Sequence, residues 1–457
     1  MPTFTRLFLT AAALLGFTSA QAQTARPSLT GDWTGTIGPI GFTIHLTDPA
    51  AGPRMASLDI PAQQAKGLPL QFTAPGDSVY LRLGQPAARF VGRRSADSQQ
   101  LIGEWQQGPR TFPLTLSRGT GVAKRPQTPK APFPYRATDV TFRNEKAGVT
   151  LAGTYTVPAG KGPFPAVALL TGSGPEDRNE SAFGHQPFAV LADYLSRHGV
   201  AVLRFDDRGV GQSGGTLQGA TSADYTTDAQ AALAWLRAQP AVQKNHAGLL
   251  GHSQGGTAAI GAAGQASGPD FLVLLAAPAL PGNELIVQQS LALARLQTSD
   301  AAQLAATEKM QRAMTEIIQQ TPDDAQAKTK LRAYYTAISP QLAAQVEPQL
   351  PLLTSPDYRH LLADRPAQTL PKVHCPVLAL GGSKDVQVPA ALNLAATAAG
   401  LKAGNNRDVT IKELPGLNHL FQTAATGAVE EYGTIEETFS PAALQLIGDW
   451  IAQHSRK

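Results

Sequence analysis

The chain has 457 residues, among them 43 glycines and a single cysteine, and carries a formal net charge of +4. One cysteine excludes an internal disulfide, so the fold must rest on core burial, which a chain of this length supplies amply. The charges are mild and scattered, without a Lys/Arg tract or basic residues interleaved with aromatics, which argues against a nucleic-acid partner.

In chain order, Met1-Pro-Thr-Phe-Thr-Arg6 leads into an apolar run from Leu7 to Phe17 and then Ser19-Ala20-Gln21-Ala22. One positive charge, a short apolar core and Ala-x-Ala predict a secretory signal peptide over residues 1–22, hence an exported protein in the periplasm or outside the cell. The run is too short to span a bilayer comfortably and no other long one follows, so no membrane span is expected in the mature protein.

Residues 28–118 alternate with period two: Phe42-x-Ile44-x-Leu46, Leu68-x-Leu70-x-Phe72, Val79-x-Leu81-x-Leu83 and Phe112-x-Leu114-x-Leu116, with Gly, Pro and Asp between the runs. Such alternation between turn signals predicts a small antiparallel β-barrel or β-sandwich. Trp33 and Trp105 read as core residues of this module. Residues 119–134 hold four prolines and several basic residues and read as an extended linker, with an ordered strap across the two domains as the alternative.

From residue 135 on, strand and helix patterns alternate, which predicts a mostly parallel sheet covered on both faces. Phe164 to Leu170 and Val200 to Phe205 read as strands, and Asp228 to Leu236 has helical spacing. Asp206 and Asp207, just after the second strand, read as structural acids with Arg208 as their ion-pair partner. The most informative stretch is Leu249-Leu250-Gly251-His252-Ser253-Gln254-Gly255-Gly256. An apolar strand ends in Gly-x-Ser-x-Gly and a helix of small residues follows at once. A serine on so tight a turn is held in a strained conformation with its hydroxyl clear at a helix N-terminus, where a developing negative charge is favoured.

After a strand over Leu272 to Ala276 the strand pattern vanishes, and residues 282–371 show helical periodicity. Strand patterns return at Val377 to Leu380, with Asp385 just past the end, and at Val409 to Leu414, with His419 in the following loop. A serine hydroxyl is a weak nucleophile at neutral pH and needs an imidazole to take its proton. The imidazole needs a carboxylate to fix its tautomer and to stabilise the imidazolium. Ser253, Asp385 and His419 occur in the required chain order and are the candidate nucleophile, orienting acid and general base. His252 is a poor base because neighbours on the turn point different ways. His374 lies at the wrong end of its strand, and Glu413 lies within one.

The segments Thr171-Gly-Ser-Gly-Pro-Glu-Asp-Arg-Asn179, Phe205-Asp-Asp-Arg-Gly-Val-Gly-Gln-Ser213, Gly251-His-Ser-Gln-Gly-Gly256 and Gly381-Gly-Ser-Lys-Asp-Val-Gln-Val-Pro389 together resemble the α/β-hydrolases, over residues 135–457. The likeness is to bacterial carboxylesterases and serine aminopeptidases of the S33-like type, and the elbow is also similar to that of cinnamoyl and feruloyl esterases. The resemblance implies hydrolysis of a small-molecule carboxylic ester through an acyl-serine, with neither metal nor organic cofactor. It implies an oxyanion hole made by the backbone N–H groups of Ser173 and Gln254, Thr171 standing where hydrolases carry the His of a His-Gly-Gly loop. It also implies that residues 282–371 form a helical cap, with Met310, Met314, Ile317, Tyr334 and Tyr335 as either an acyl pocket or the cap's own core. Two rival readings stay open: a peptidase or amidase on short peptides, with Asp323, Asp324 and Glu284 as acids for a substrate amine, and a binding protein on a degenerate hydrolase scaffold.

Overall fold

The computed structural model describes residues 28–454 apart from 38–39, 50–51, 61–64, 85–86, 109 and 120–123; the expected signal peptide lies outside the described residues. The chain divides into two compact units, the first within residues up to 121 and the second from 122 on.

The first unit is all β. Strands β1 (Gly31–Ile37), β2 (Ile40–Thr47), β3 (Met55–Ile60), β4 (Ala65–Thr73), β5 (Ser78–Leu83), β6 (Ala88–Arg94), β7 (Gln100–Gln107) and β8 (Arg110–Arg118) follow one another around a closed barrel. Antiparallel pairing of Trp33 with Arg118 and Thr34 with Ser117 joins β8 to β1, so among the described residues each strand has a neighbour on both sides. Of the two architectures the alternation allows, the barrel is the one formed. Every second residue of β2, β5 and β8 points inward, burying Phe42, Ile44, Leu46, Val79, Leu81, Leu83, Leu114 and Leu116. Trp33 and Trp105 lie in this core, and the Trp33 indole N–H donates to the Leu29 carbonyl at 2.8 Å. Strands β3 and β6 have no apolar alternation to betray them. Leu58 is the buried side chain of β3, and β6 turns Ala88, Phe90 and Gly92 inward, two of them too small to register as apolar.

The second unit opens with residues 124–134, part of the segment left open between a linker and an ordered strap, and two of its side chains bind this unit. The Arg125 guanidinium donates to the carbonyls of Phe183, Gly184, Gly433 and Ile435. The Gln127 amide donates to the Phe439 carbonyl and accepts from the N–H groups of Thr438 and Phe439. A rigid fork of donors suits a cluster of loop carbonyls that no ladder satisfies, which is why a basic, proline-rich segment becomes ordered here.

Eight strands then form one sheet: β9 (Arg136–Asn144), β10 (Val149–Val157), β11 (Phe164–Leu170), β12 (Ala201–Phe205), β13 (Val242–His252), β14 (Leu272–Leu275), β15 (Val377–Gly382) and β16 (Val409–Leu414), in the order β16-β15-β14-β13-β11-β12-β10-β9. All neighbours are parallel except β10, which pairs antiparallel with both β9 and β12. Successive side chains of each strand go to opposite faces. Leu272, Leu274, Val377 and Ala379 pack on one side, against helices α2 (Ser222–Arg237) and α3 (Gln254–Ala263). Val273, Leu275, Leu378 and Leu380 pack on the other, against α1 (Pro187–Arg197) and α11 (Pro441–His454). Both faces are covered, which explains the continuous apolar runs of these strands. Helix α2 begins at Ser222, well before the expected Asp228, because Thr221 and Asp224 close a capping box.

Between the sixth and seventh strands, β14 and β15, the chain forms α4 (Gly282–Arg295), α5 (Ala301–Gln320), α6 (Asp324–Ile338), α7 (Pro340–Val346), α8 (Leu350–Leu353) and α9 (Pro356–Ala363). This insertion has its own core of Met314, Ile318, Leu331, Tyr335, Leu350 and Leu362, with Met310, Ile317 and Tyr334 packed against it. The candidate acyl-pocket residues thus serve the insertion's own packing. Asp364 accepts from the Ser222 hydroxyl and Asp357 from the Gly219 N–H, which ties the insertion to the chain entering α2. Helix α10 (Ala390–Ala403) connects β15 to β16. Among the described residues, no helix is long and apolar enough to cross a membrane.

Candidate active site

Strand order reverses direction at β11, and parallel sheets gather functional groups beyond the C-terminal strand ends at such a point. Ser253 stands there, between β13 and α3, with φ 52° and ψ −121°. A non-glycine residue held at positive φ costs about 1–3 kcal/mol and persists only where its surroundings over-determine it. Here the surroundings are backbone. A Cβ on Gly251 would lie 2.3 Å from the Gly255 carbonyl oxygen, and one on Gly255 would lie 2.2 Å from that of Leu170. The strand end, the turn and the start of the helix are therefore in direct backbone contact, and only glycine allows it. The Ser253 N–H donates to the Leu275 carbonyl at 2.9 Å, fixing the turn to β14.

The loop after β11 lies beside this turn. A Cβ on Gly172 would come within 3.6 Å of both the Ser253 Cβ and the His252 Nδ1. The Gly172 N–H is engaged, donating to Glu180 Oε1 at 3.0 Å, and exposed Ser173 follows it. Gln254, the first residue of α3, has no helical carbonyl for its own N–H. The Thr171 hydroxyl donates to Asp207 at 2.8 Å and anchors the loop from behind.

His419 and Asp385 meet as expected. Asp385 Oδ2 accepts from His419 Nδ1 at 2.8 Å, and Asp385 Oδ1 accepts from the N–H groups of Gln387 and Val388, each at 2.8 Å. Three hydrogen bonds fix the carboxylate, and the imidazole is held to it by Nδ1. Both groups are buried. His419 is brought to the serine through its backbone: His252 Nε2 donates to the His419 carbonyl at 2.9 Å, and the two rings lie 4.7 Å apart. Asp385 and His419 are thus in direct contact, and Ser253 is joined to them through the ring of its neighbour His252.

The sequence reading passed over Glu180. This buried residue accepts from both the Gly172 N–H and His252 Nδ1, the latter at 2.7 Å. No sequence signal marks it, since it lies just past the motif that ends at Asn179. Burial, added to the charges of Glu180 and Asp207, pushes the Glu176 carboxyl up to about 8, and burial pushes Asp207 up to about 7 against the pull of the Thr171 hydroxyl. The expected pairing of Arg208 with Asp206 or Asp207 is corrected. Arg178 takes Asp206 with two hydrogen bonds, of 2.9 and 2.7 Å, while Arg208 turns to Asp224 and Asp228 of α2. Neighbours in sequence leave a strand end in different directions, and α2 brings two acids to the side that Arg208 faces. The acids offered for a substrate amine have other work: Glu284 pairs with Arg312, Asp324 with Arg359, and Asp323 caps α6.

Residues 147–401 match the model of the X-Pro dipeptidyl-peptidase family (S15), a stretch that takes in Ser253 and Asp385 and stops short of His419. Esterase EstD of Thermotoga maritima is 34% identical over 139 residues, 30% of this chain; the match spans only a third of that relative's length (33%). Among solved structures, the α/β hydrolase GrgF from Penicillium sp. sh18 is 18% identical with a TM-score of 0.43, over 70% of this chain and 99% of its own. The Pyrococcus furiosus esterase Pf2001 is 16% identical with a TM-score of 0.43, over 74% of this chain and 99% of its own. The S33-like type named from sequence is not the family whose model matches. With more than half of its length matched by one family model and its sheet in the order given above, the chain belongs to the X-Pro dipeptidyl-peptidase (S15) family, with an α/β-hydrolase fold preceded by a β-barrel.

Proposed function

We propose that the chain cleaves small or medium carboxylic esters through an acyl-serine, with Ser253 as nucleophile, His419 as base and acid, and Asp385 as the orienting acid. The observation that carries this reading is the hydrogen bond from His252, the residue before the nucleophile, to the backbone of His419, whose ring is in turn held by Asp385. His419 Nε2 takes the Ser253 proton as the hydroxyl attacks the ester carbonyl, and Asp385 stabilises the imidazolium. The N–H groups of Ser173 and Gln254 receive the oxyanion, each worth about 2.7–4 kcal/mol in the transition state. The imidazolium then protonates the leaving alcohol, and water attacks the acyl-serine by the same route in reverse. The helical insertion over 282–371 serves as the lid in this reading, and the leader over 1–22 directs export.

The family's name favours a second reading, release of X-Pro dipeptides. Such a peptidase must hold a substrate ammonium, and Glu284, Asp323 and Asp324 are each committed to another partner. The name of the EstD relative favours esters. A panel of p-nitrophenyl esters and X-Pro p-nitroanilides separates the two. Ester turnover that disappears in Ser253→Ala is the expected result. Turnover of anilides alone would replace the ester reading by the peptidase one, and turnover of neither would leave a binding protein.

A further inference from the structure

We infer that Glu180 and His252 form a buried positioning pair for this reaction, one that locks the oxyanion loop, the nucleophile turn and the loop of the base into a single unit. The inference rests on the triad reading above. The reacting groups come from four segments far apart in sequence: the loop after β11, the turn at Ser253, and the loops of Asp385 and His419. The Asp385–His419 hydrogen bond joins only the last two. Glu180 Oε1 joins the first two, accepting from Gly172 N–H at 3.0 Å and His252 Nδ1 at 2.7 Å. His252 Nε2 closes the circuit on the His419 carbonyl at 2.9 Å.

With Glu180 ionised, one ring nitrogen of His252 faces a carboxylate and the other a carbonyl, and neither of those groups can donate. Both hydrogen bonds exist together only when the ring carries two protons. Burial alone would pull its pKa down, but the charge and hydrogen bond of Glu180 and the His419 carbonyl outweigh it and push the imidazole up to about 9. The ionisable groups that face it are Glu180 and Glu176 from the loop after β11, Asp385 from the loop after β15, and His419. Glu176, pushed up to about 8 by burial and its acidic neighbours, is largely uncharged at neutral pH and leaves Glu180 as the counter-ion. Glu180 is itself held at φ 54°, close to the 52° of Ser253. Two strained backbone positions are thus joined by one imidazolium.

Loss of the second proton breaks one of the two hydrogen bonds and lets one loop move against the others. Small misplacements of reacting groups fall on kcat rather than on substrate binding. The test follows kcat and KM for p-nitrophenyl butyrate from pH 6 to 10.5, corrected for spontaneous hydrolysis, in wild type, Ser253→Ala, Glu180→Gln, Glu180→Asp and His252→Gln. Wild-type kcat should fall above a pH of about 9. Glu180→Gln should lower kcat roughly 10- to 100-fold with KM within about twofold, and should move the alkaline fall down by more than about one pH unit. Glu180→Asp keeps the charge and should restore the fall to its wild-type position. His252→Gln removes the titrating group and should abolish that fall, which keeps the test independent of how well Glu180→Gln folds. A wild-type alkaline limb in both Glu180→Gln and His252→Gln would overturn the inference, even with kcat reduced, since a merely structural pair would give that result. Turnover surviving in Ser253→Ala would instead remove the triad reading itself, and the two failures are therefore distinct.

Discussion

The barrel and the far ends of the hydrolase strands solve opposite problems. Among the described residues of the barrel, Ser98 is the one buried polar side chain and the one non-glycine residue at positive φ, and it sits in the turn between β6 and β7. The hydrolase unit buries Glu180, Asp207, His252, Asp385 and His419, and holds Glu180, Ser253, Ala276 and Phe421 at positive φ beside the strand ends. A barrel filled by alternating apolar side chains agrees with its local sequence at nearly every position. The hydrolase breaks local rules at several places, with Asn245 and Asn405 also at positive φ and Asn144, Arg208 and Asp228 also buried, and one cluster of these departures holds the candidate triad residues. Strain and buried charge concentrated together mark a site that the rest of the fold must hold in shape.

The largest effect that tests this contrast is removal of the nucleophile or the base. Ser253→Ala and His419→Ala should each lower ester turnover by about 10⁴-fold or more while the circular dichroism spectrum stays unchanged. Wild-type rates in either variant would make the polar cluster structural and erase the difference between the two regions. A smaller loss should follow Gly255→Ala. Its new Cβ has only 2.2 Å to the Leu170 carbonyl oxygen, so the turn and the oxyanion loop must part. We expect kcat to fall about 100-fold and stability to drop by about 1–3 kcal/mol, read by turnover and by thermal unfolding. A neutral Gly255→Ala would show that the backbone contact at the turn does not set the oxyanion geometry.

The two regions also differ in how much of them could be read beforehand. Six of the barrel strands show in the sequence through apolar alternation or through Trp33 and Trp105, while β3 and β6 stay hidden because few large side chains face inward from them. In the hydrolase unit the candidates Ser253, Asp385 and His419 could be named because the proposed reaction demands both residue type and chain order, and the elbow glycines are demanded by backbone contact. Glu180 was not legible. An acid in a loop carries no period and no spacing, and its partner His252 looks from sequence like an idle neighbour of the nucleophile. The pairing of Arg208 was misread for a related reason: which acid a strand-end arginine meets depends on the helix that packs above it, and α2 supplies Asp224 and Asp228.

Within the barrel the expected effects fall on stability. Trp33 is fully buried, donates to the Leu29 carbonyl and lies under the Arg118 guanidinium, 4.7 Å from its ring. Trp33→Ala should cost the barrel about 3–5 kcal/mol, from lost burial and the cavity left behind. Equilibrium unfolding should show the loss, while kcat for p-nitrophenyl butyrate stays at the wild-type value. A kcat that fell with barrel stability would mean that the two units are energetically coupled, and the contrast between them would have to be redrawn.

The smallest effect gives the sharpest comparison, because each region holds a histidine between two oxygen atoms. In the barrel His45 Nδ1 faces Asp32 Oδ1 at 2.6 Å and Nε2 faces Asp59 Oδ2 at 3.1 Å, and Asp59 also accepts from the Gly67 N–H. The Asp32 hydrogen bond leads in raising the His45 pKa above its ordinary value of 6.5, against the opposing effect of burial and with help from Asp59. Because the folded-state value is the higher one, the stabilisation is fully present below about pH 6.5 and is lost as pH rises through the folded value. The His45 side chain is 40% exposed, so the gain should stay under about 1 kcal/mol. Urea unfolding of wild type and His45→Gln should therefore differ at pH 5.5 and converge at pH 9, with turnover the same in both proteins. The buried His252 carries the same arrangement into the hydrolase, where its second proton should govern turnover. A His45→Gln variant that matched wild-type stability at every pH would show that an exposed histidine between two acids is energetically idle. The importance of the arrangement at His252 would then come from its burial, not from its pattern of partners.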